Sequence, residues 1–230
     1  VSGVGPNLVT AVRFDGTTHL NFPRPVEVDF TLVAAFATTS TAGNPNAAWW
    51  STPAILGGDN SGNNNDYHLG LNVGKPLFVV HDRELLGPSS LANGLPHSLM
   101  SWRVDATGLM GMFVDGVSVG SLDAGPGLLA GPTALFIGSA RSTLGFWTGD
   151  LLEIVAYDRE LRGIERNMIQ AYFSARYGTP SPRALFAFGA THSGDVAGIG
   201  QETTAERIPE AVTIFTDALG TTGATIPNPY

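Results

Sequence analysis

The stretch GDLLEIVAYDRELRGIERNMIQAYFSARYG, residues 149–178, joins one strand to one helix and decides the fold. Leu151, Ile154 and Val155 lie in an apolar, β-prone run that ends at the polar turn Asp158-Arg159. Beyond the turn, Ile164, Met168, Tyr172 and Ala175 recur at helical spacing, with Glu165, Arg166, Gln170 and Arg176 on the other side. Gly178 and Pro180 stop the helix: glycine supplies a left-handed cap, and proline cannot continue the turn. No other stretch reads as comparably helical. A nearly all-β domain closed by one short helix is expected.

The upstream strands fit that expectation. Residues 9–14 read as a strand with Val12 and Phe14 inward, closed by a turn at Asp15-Gly16. Phe30–Phe36 is an almost continuous apolar run, followed by a Thr/Ser/Gly/Asn stretch over 38–46 that reads as a long surface loop. Trp49–Leu56 gives a further strand or edge, broken at Pro53. Tyr67–Val73 and Leu77–His81 flank Gly74-Lys75-Pro76 as a hairpin; Ser98–Asp105 and Met110–Val114 flank Ala106-Thr107-Gly108 as a second. Val117–Ser121 follows the Asp115-Gly116 turn as a third. Antiparallel hairpins at this spacing are what a jelly roll requires.

Gly149, Glu153, Tyr157, Asp158, Arg159, Leu161, Glu165, Arg166, Tyr177 and Gly178 match the closing strand–helix pattern of the LamG-like jelly rolls, in the concanavalin A-like lectin/glucanase superfamily. Val12-Arg13-Phe14-Asp15-Gly16 resembles the opening strand of those domains. Phe113-Val114-Asp115-Gly116 resembles their central hairpin, and Phe136-Ile137-Gly138 the strand after it. The resemblance covers about residues 8–178 and departs at Arg162-Gly163, where a Ser or Thr helix cap is usual, so weak capping is expected there. It implies an all-β, antiparallel jelly-roll β-sandwich with one short C-terminal helix, and it implies that Trp102 is core. The expected organisation is a jelly roll over 1–178, a stiff linker Thr179-Pro180-Ser181-Pro182, and a β-rich tail or arm over 183–230. His192–Gly200 in that tail resembles the start of a module that follows such domains in bacterial surface proteins.

Composition narrows the function. Hydrophobic residues make up 43% of the 230, enough for a core, while charged residues make up only 14%, below the usual quarter. The net charge is −8, Lys75 is the only lysine, and no basic cluster appears. Phosphate-backbone binding to nucleic acid and a polybasic membrane mode are therefore not expected. Cysteine is absent, which removes disulfides, zinc–thiolate sites and thiol catalysis. Val1-Ser2-Gly3-Val4 has neither the basic region nor the apolar run of a signal peptide, and Val1 fits removal of an initiator methionine from a complete gene product. No run approaches the length needed to span a bilayer. An extracellular, cell-surface or virion location follows from a polar but sparsely charged surface.

Two groups of residues are candidates for binding. The loop 57–66 carries Asp59 and Asp66 with Asn60, Ser61, Asn63, Asn64 and Asn65, the oxygen ligands a hard cation takes. LamG-like domains often hold a calcium near the rim, and Asp59, Asn60 and Asp66 are its candidate ligands here. The spacing does not fit the EF-hand loop, and a plain solvated turn uses the same residues. Trp49, Trp50, Tyr67, His68, Phe146 and Trp147 lie beside predicted loops, where a ring stacks on a sugar and amides such as Asn63 and Asn64 meet its hydroxyls. The alternative is that these rings are core.

Signatures of catalysis are missing. No E-x-D-x-x-E strand supplies a paired nucleophile and acid, and Glu153 with Asp158 belongs to the closing pattern itself. No R-x-E-x-R strand or H-E-x-x-H is present, and Gly194–Gly200 lacks the Lys of a phosphate loop. The expected function is a non-catalytic surface module binding a carbohydrate or protein through rim loops 40–48, 57–66 and 141–148. The rival is a structural part of a particle: a phage tail, a capsid-decoration protein or a bacterial surface layer. There residues 183–230 would join copies into a homo-oligomer or reach neighbouring subunits.

Overall fold

The computed structural model describes residues 1–23, 26, 28–59, 66–127 and 134–180. The expectations for Asn60, Asn63, Asn64 and the segment 183–230 fall outside those residues. Among the described residues twelve strands form two six-stranded antiparallel sheets. The first has the order β1 (Val12–Asp15), β12 (Thr148–Tyr157), β3 (Phe30–Ala37), β8 (Pro96–Val104), β9 (Leu109–Val114), β10 (Val117–Asp123). The second has the order β2 (Leu20–Pro23), β11 (Ala134–Ile137), β4 (Ala54–Gly57), β5 (Tyr67–Asn72), β6 (Lys75–Val80), β7 (Arg83–Leu86). The chain passes between sheets after β1, β2, β3, β7, β10 and β11, which makes the sandwich a jelly roll.

The almost continuous apolar run of β3 has a simple cause: both of its faces are covered. Phe30, Leu32, Ala34 and Phe36 point between the sheets, where they meet Leu69, Phe78, Met110 and Leu135. Val33 and Ala35 point outward and are capped by the helix α1 (Gly163–Tyr177), through Phe173 and Tyr177. A strand buried on both faces loses the polar alternation of a half-exposed one.

Two-residue turns with positive φ at both positions close three hairpins: Val73-Gly74, His81-Asp82 and Asp115-Gly116. Such turns match the twist of the strands they join, and Asp-Gly is among their commonest sequences. The sequence gives no comparable signal at Val73 or at His81-Asp82. Hence the β5–β6 turn falls one residue early of the expected Gly74-Lys75-Pro76, and the short edge strand β7 has no turn signal ahead of it.

Three expectations about side chains are corrected. Met168 and Tyr172 are outward at 42% and 38% exposure, and the helix buries Gln170, Ala171, Phe173 and Tyr177 instead. Gln170 is drawn inward by polar partners: Ser98 Oγ donates to its Oε1 at 2.7 Å, and its Nε2 donates to the Pro180 carbonyl at 2.8 Å. Phe14 is buried as expected, but Val12 on the edge strand β1 is 51% exposed. Trp102 is half-buried on the outer face of the first sheet, its indole lying over Gly111, where a Cβ would meet the ring at 2.5 Å.

The helix N-terminus is held better than Arg162 implies. Glu165 accepts the Arg162 backbone N–H at 2.7 Å and binds the Arg159 guanidinium through both oxygens. The guanidinium hydrogen bonds hold the Glu165 carboxyl at a pKa of about 2. At the other end Gly178 adopts φ 71°, the left-handed cap expected, and Asn7 donates to the Ala175 and Arg176 carbonyls.

Candidate functional site

Antiparallel register decides which loops share an end of the sandwich. Asp15 pairs with Thr148, Ala37 with Asp150 and Pro96, and Leu20 with Ile137, so these strand ends lie together. The loops 38–53 and 138–147 and the short turn 16–19 all start or finish there. The loop between β4 and β5 does not. Gly57 pairs with His68, and Tyr67 with Val80, at the opposite ends of their strands. The expected trio of rim loops is therefore split, with 57–66 arising from the other end, because each hairpin reverses direction.

At the first end lies a cleft of about 400 Å³ lined by Arg13, Phe14, Ala37, Thr38, Thr39, Gly94, Thr148, Gly149 and Asp150. Its charged element is a two-pronged ion pair: Arg13 Nε donates to Asp150 Oδ1 at 2.7 Å, and Nη2 to Oδ2 at 2.8 Å. The two residues face each other across β1 and β12. The Arg13 side chain is 60% exposed, whereas that of Asp150 is 12% exposed, so the guanidinium presents the outer edge. Hydrogen bonding to Asp150, then its charge, raises the Arg13 pKa.

The cleft wall is fixed by its own backbone. Thr38 Oγ1 donates to the Thr148 carbonyl at 2.7 Å and accepts the Ser40 N–H at 2.9 Å. The Gly94 N–H donates to the Thr38 carbonyl at 2.8 Å. Gly149 is required: at φ 150° a Cβ would lie 2.7 Å from the Ala37 carbonyl oxygen. Behind Gly94, Asn93 Oδ1 takes the Leu95 N–H at 2.9 Å and meets His97 Nε2 at 3.1 Å, while His97 Nδ1 meets Asp115 at 2.7 Å. Thr39 and Thr148 are exposed at the surface of this frame. A rigid wall with exposed hydroxyls and a neutralised ion pair can both donate to and accept from a polyhydroxylated ligand.

The aromatic residues expected beside the ligand sit elsewhere. Trp147 is 2% exposed and packs edge-on against Phe36 at 5.4 Å, inside the sandwich. Tyr67 is 1% exposed and tilts against Phe30 at 5.9 Å. Trp49 is buried over Leu77 and Val79 on the outer face of the second sheet, its indole N–H donating to Asp82 at 3.0 Å. These three rings cannot offer a face to a sugar, because filling the core takes the largest rings available. Trp50 is 40% exposed, edge-on to Trp49 at 5.7 Å. Phe146 is half-buried beside His19 at 6.0 Å, and His19 in turn packs on Phe136 at 5.3 Å.

His68 is fully enclosed. Its Nε2 meets Thr52 Oγ1 at 3.2 Å, its ring is edge-on to Trp49, and burial drives its pKa down to about 3. It is a neutral core residue.

At the other end Asp59 and Asp66 flank the amide-rich loop, and both are buried. Arg141 is in ion-pair contact with Asp59. Burial raises the Asp59 pKa, against the opposing charge of Arg141. Among the described residues no cluster of three or more His, Asp or Glu side chains has the geometry to hold a metal ion.

Arg13, Thr39, Thr148 and Asp150 did not stand out in the sequence. The signal that existed was the opposite-charge pair Arg13 and Asp150, each buried in a stretch that reads as structural framework.

No protein-family model matches the chain. No curated protein matches it either. Solved structures do. The CBM40 module of the Ruminococcus gnavus IT-sialidase, bound to α2,3-sialyllactose, superposes with a TM-score of 0.55 at 13% identity, over 70% of this chain and 95% of that one. Domains LG4-5 of the mouse laminin α1 chain give 0.51 at 17% identity, over 71% of this chain and 46% of that one. A Bacteroides ovatus protein described as a putative carbohydrate-binding protein gives 0.52 at 14% identity, over 67% and 45%. The chain thus spans less than half the length of the last two. The fold is the jelly-roll β-sandwich that these structures share. Among the described residues no helix is long and apolar enough to cross a membrane.

Proposed function

We propose that this domain is a non-catalytic carbohydrate-recognition module whose sugar site is the cleft of Arg13, Thr39, Thr148 and Asp150. The observation that carries the reading is the cleft's make-up: an exposed guanidinium edge and the exposed threonines Thr39 and Thr148 on a backbone-locked wall. Sugar recognition needs convergent donors and acceptors held in place before the ligand arrives. The fold's occurrence in a sialyllactose-bound module and in a putative carbohydrate-binding protein supports the same class of ligand.

The cleft favours a neutral sugar. Its cation, Arg13, is already matched by Asp150, and the chain carries a net charge of −8, so an anionic sugar would have to compete with a carboxylate held at 2.7 Å. A non-catalytic role agrees with the same geometry. A glycosidase needs two carboxyl groups roughly 5–10 Å apart across the scissile bond. Among the cleft's lining residues only Asp150 carries one, and it is tied to Arg13. The particle-assembly reading turns on residues 183–230, and none of the structural neighbours lends it support.

The test is a glycan array probed with the full chain, followed by calorimetry on the best neutral oligosaccharide. Thr39→Ala and Thr148→Val, both surface changes, are expected to weaken binding about tenfold each, the loss of roughly one hydrogen bond. Binding that is indifferent to both substitutions, or an array with no neutral glycan bound, would overturn the reading.

A further inference from the structure

Asp59 and Asp66 pose a problem that their surroundings solve. Two buried carboxyl groups at the two ends of one loop cannot both stay ionised without a nearby positive charge. In an oxygen-rich loop the obvious counter-charge is a divalent cation. The chain supplies one of its own instead. We propose that the Arg141 guanidinium is the resident cation of this end of the sandwich, and that the domain takes no calcium there.

Four observations converge on Arg141. It is in ion-pair contact with Asp59, and its side chain is only 20% exposed, so the charge is committed to the pair rather than to solvent. Its backbone is bolted to both ends of β4: the Asp59 N–H donates to the Ala140 carbonyl at 3.3 Å, and the Ala54 N–H to the Gly145 carbonyl at 3.0 Å. Gly57 allows this approach, since a Cβ there would lie 2.2 Å from the Ser139 carbonyl oxygen. Finally Asp82, the next carboxylate whose charge reaches Asp59, is occupied by the Trp49 indole N–H.

The Asp59 charge is offset without a metal. Burial raises the Asp59 pKa, and the Arg141 guanidinium in contact with it opposes that shift and balances the carboxylate. A calcium ion would have to displace a paired guanidinium whose charge repels it, in a region of low dielectric. The arrangement also has a mechanical effect. Loop 138–147, which delivers Thr148 to the cleft, is tethered at the opposite end of the sandwich through Arg141.

The test is thermal unfolding of the full chain in millimolar CaCl₂ and in EDTA, with no sugar present, so it stands or falls apart from the carbohydrate reading. The wild-type melting temperature is expected to be the same in both. Arg141→Gln is expected to melt roughly 10 °C lower, the effect of stranding a buried charge, and to regain part of that loss in CaCl₂. A saturable calcium shift in the wild type, removed by Asp59→Asn, would overturn the proposal. So would an Arg141→Gln variant that melts like the wild type, or one that ignores calcium. If Arg141→Gln yields no folded protein, Arg141→Lys decides. A folded, calcium-insensitive lysine variant supports a resident cation, whereas one that fails to fold or responds to calcium refutes it.

Discussion

His68 shows how far a single side chain can depart from its usual chemistry. In the unfolded chain it titrates near 6.5, but in the fold burial holds it neutral down to about 3. The unfolded state therefore binds one more proton across that window, and the stability this residue permits is complete above pH 6.5 and is lost as the pH falls towards 3. Stability should fall by about 1.4 kcal/mol per pH unit from this one proton. Denaturant unfolding at pH 6 and pH 4 checks it: a His68→Gln variant should show a shallower slope than the wild type. An identical slope would mean that His68 protonates within the fold. Gly57 makes a second case. It has no positive φ to explain it, only the Ser139 and Ala140 backbone 2.2 to 2.5 Å from any added Cβ. Gly57→Ala should cost about 3 kcal/mol, the upper range for overpacking against groups that cannot yield. Denaturant unfolding would show it, and a loss below about 1 kcal/mol would mean that loop 138–147 moves aside.

At the scale of elements, the helix carries the clearest lesson. Its existence, its end at Gly178 and its place after the last strand were legible from Ile164 to Pro180. Its buried face was not, because Met168 and Tyr172 outrank Gln170 on hydrophobicity. Gln170 is inside only because Ser98, Thr179 and Pro180 satisfy its amide, partners that no local pattern reveals. The faces can be told apart by substitution. Phe173→Ala should destabilise the domain by about 3–5 kcal/mol, whereas Met168→Ser should stay within about 0.5 kcal/mol of the wild type. Comparable losses at both positions would contradict the packing of α1. The hairpins divide in the same way. Asp115-Gly116 announces its turn, but Val73 and His81-Asp82 adopt positive φ with no sequence cue, and so β7 went unread.

At the scale of the whole molecule, the all-β jelly roll was readable because strand patterning, hairpin spacing and the closing strand–helix motif all point the same way. The site was not. Aromatic residues drew attention to Trp49, Tyr67 and Trp147, yet a sandwich of this size spends its largest rings on the core. The cleft is instead assembled from residues on three strands and two loops, which only the register brings together. The split of the rim loops between two ends is likewise a property of topology rather than of any segment. It separates the cleft proposed for recognition from the end where Arg141 meets Asp59.

The measurement that bears most directly on recognition at the cleft is amide chemical-shift mapping of the full chain, titrated with the tightest-binding neutral oligosaccharide. The perturbed amides should cluster at Thr38, Thr39, Gly94, Thr148 and Gly149, with His68 and the helix unmoved. Shifts centred on Trp50 or on the Asp59–Asp66 end, with the cleft amides silent, would contradict the assignment.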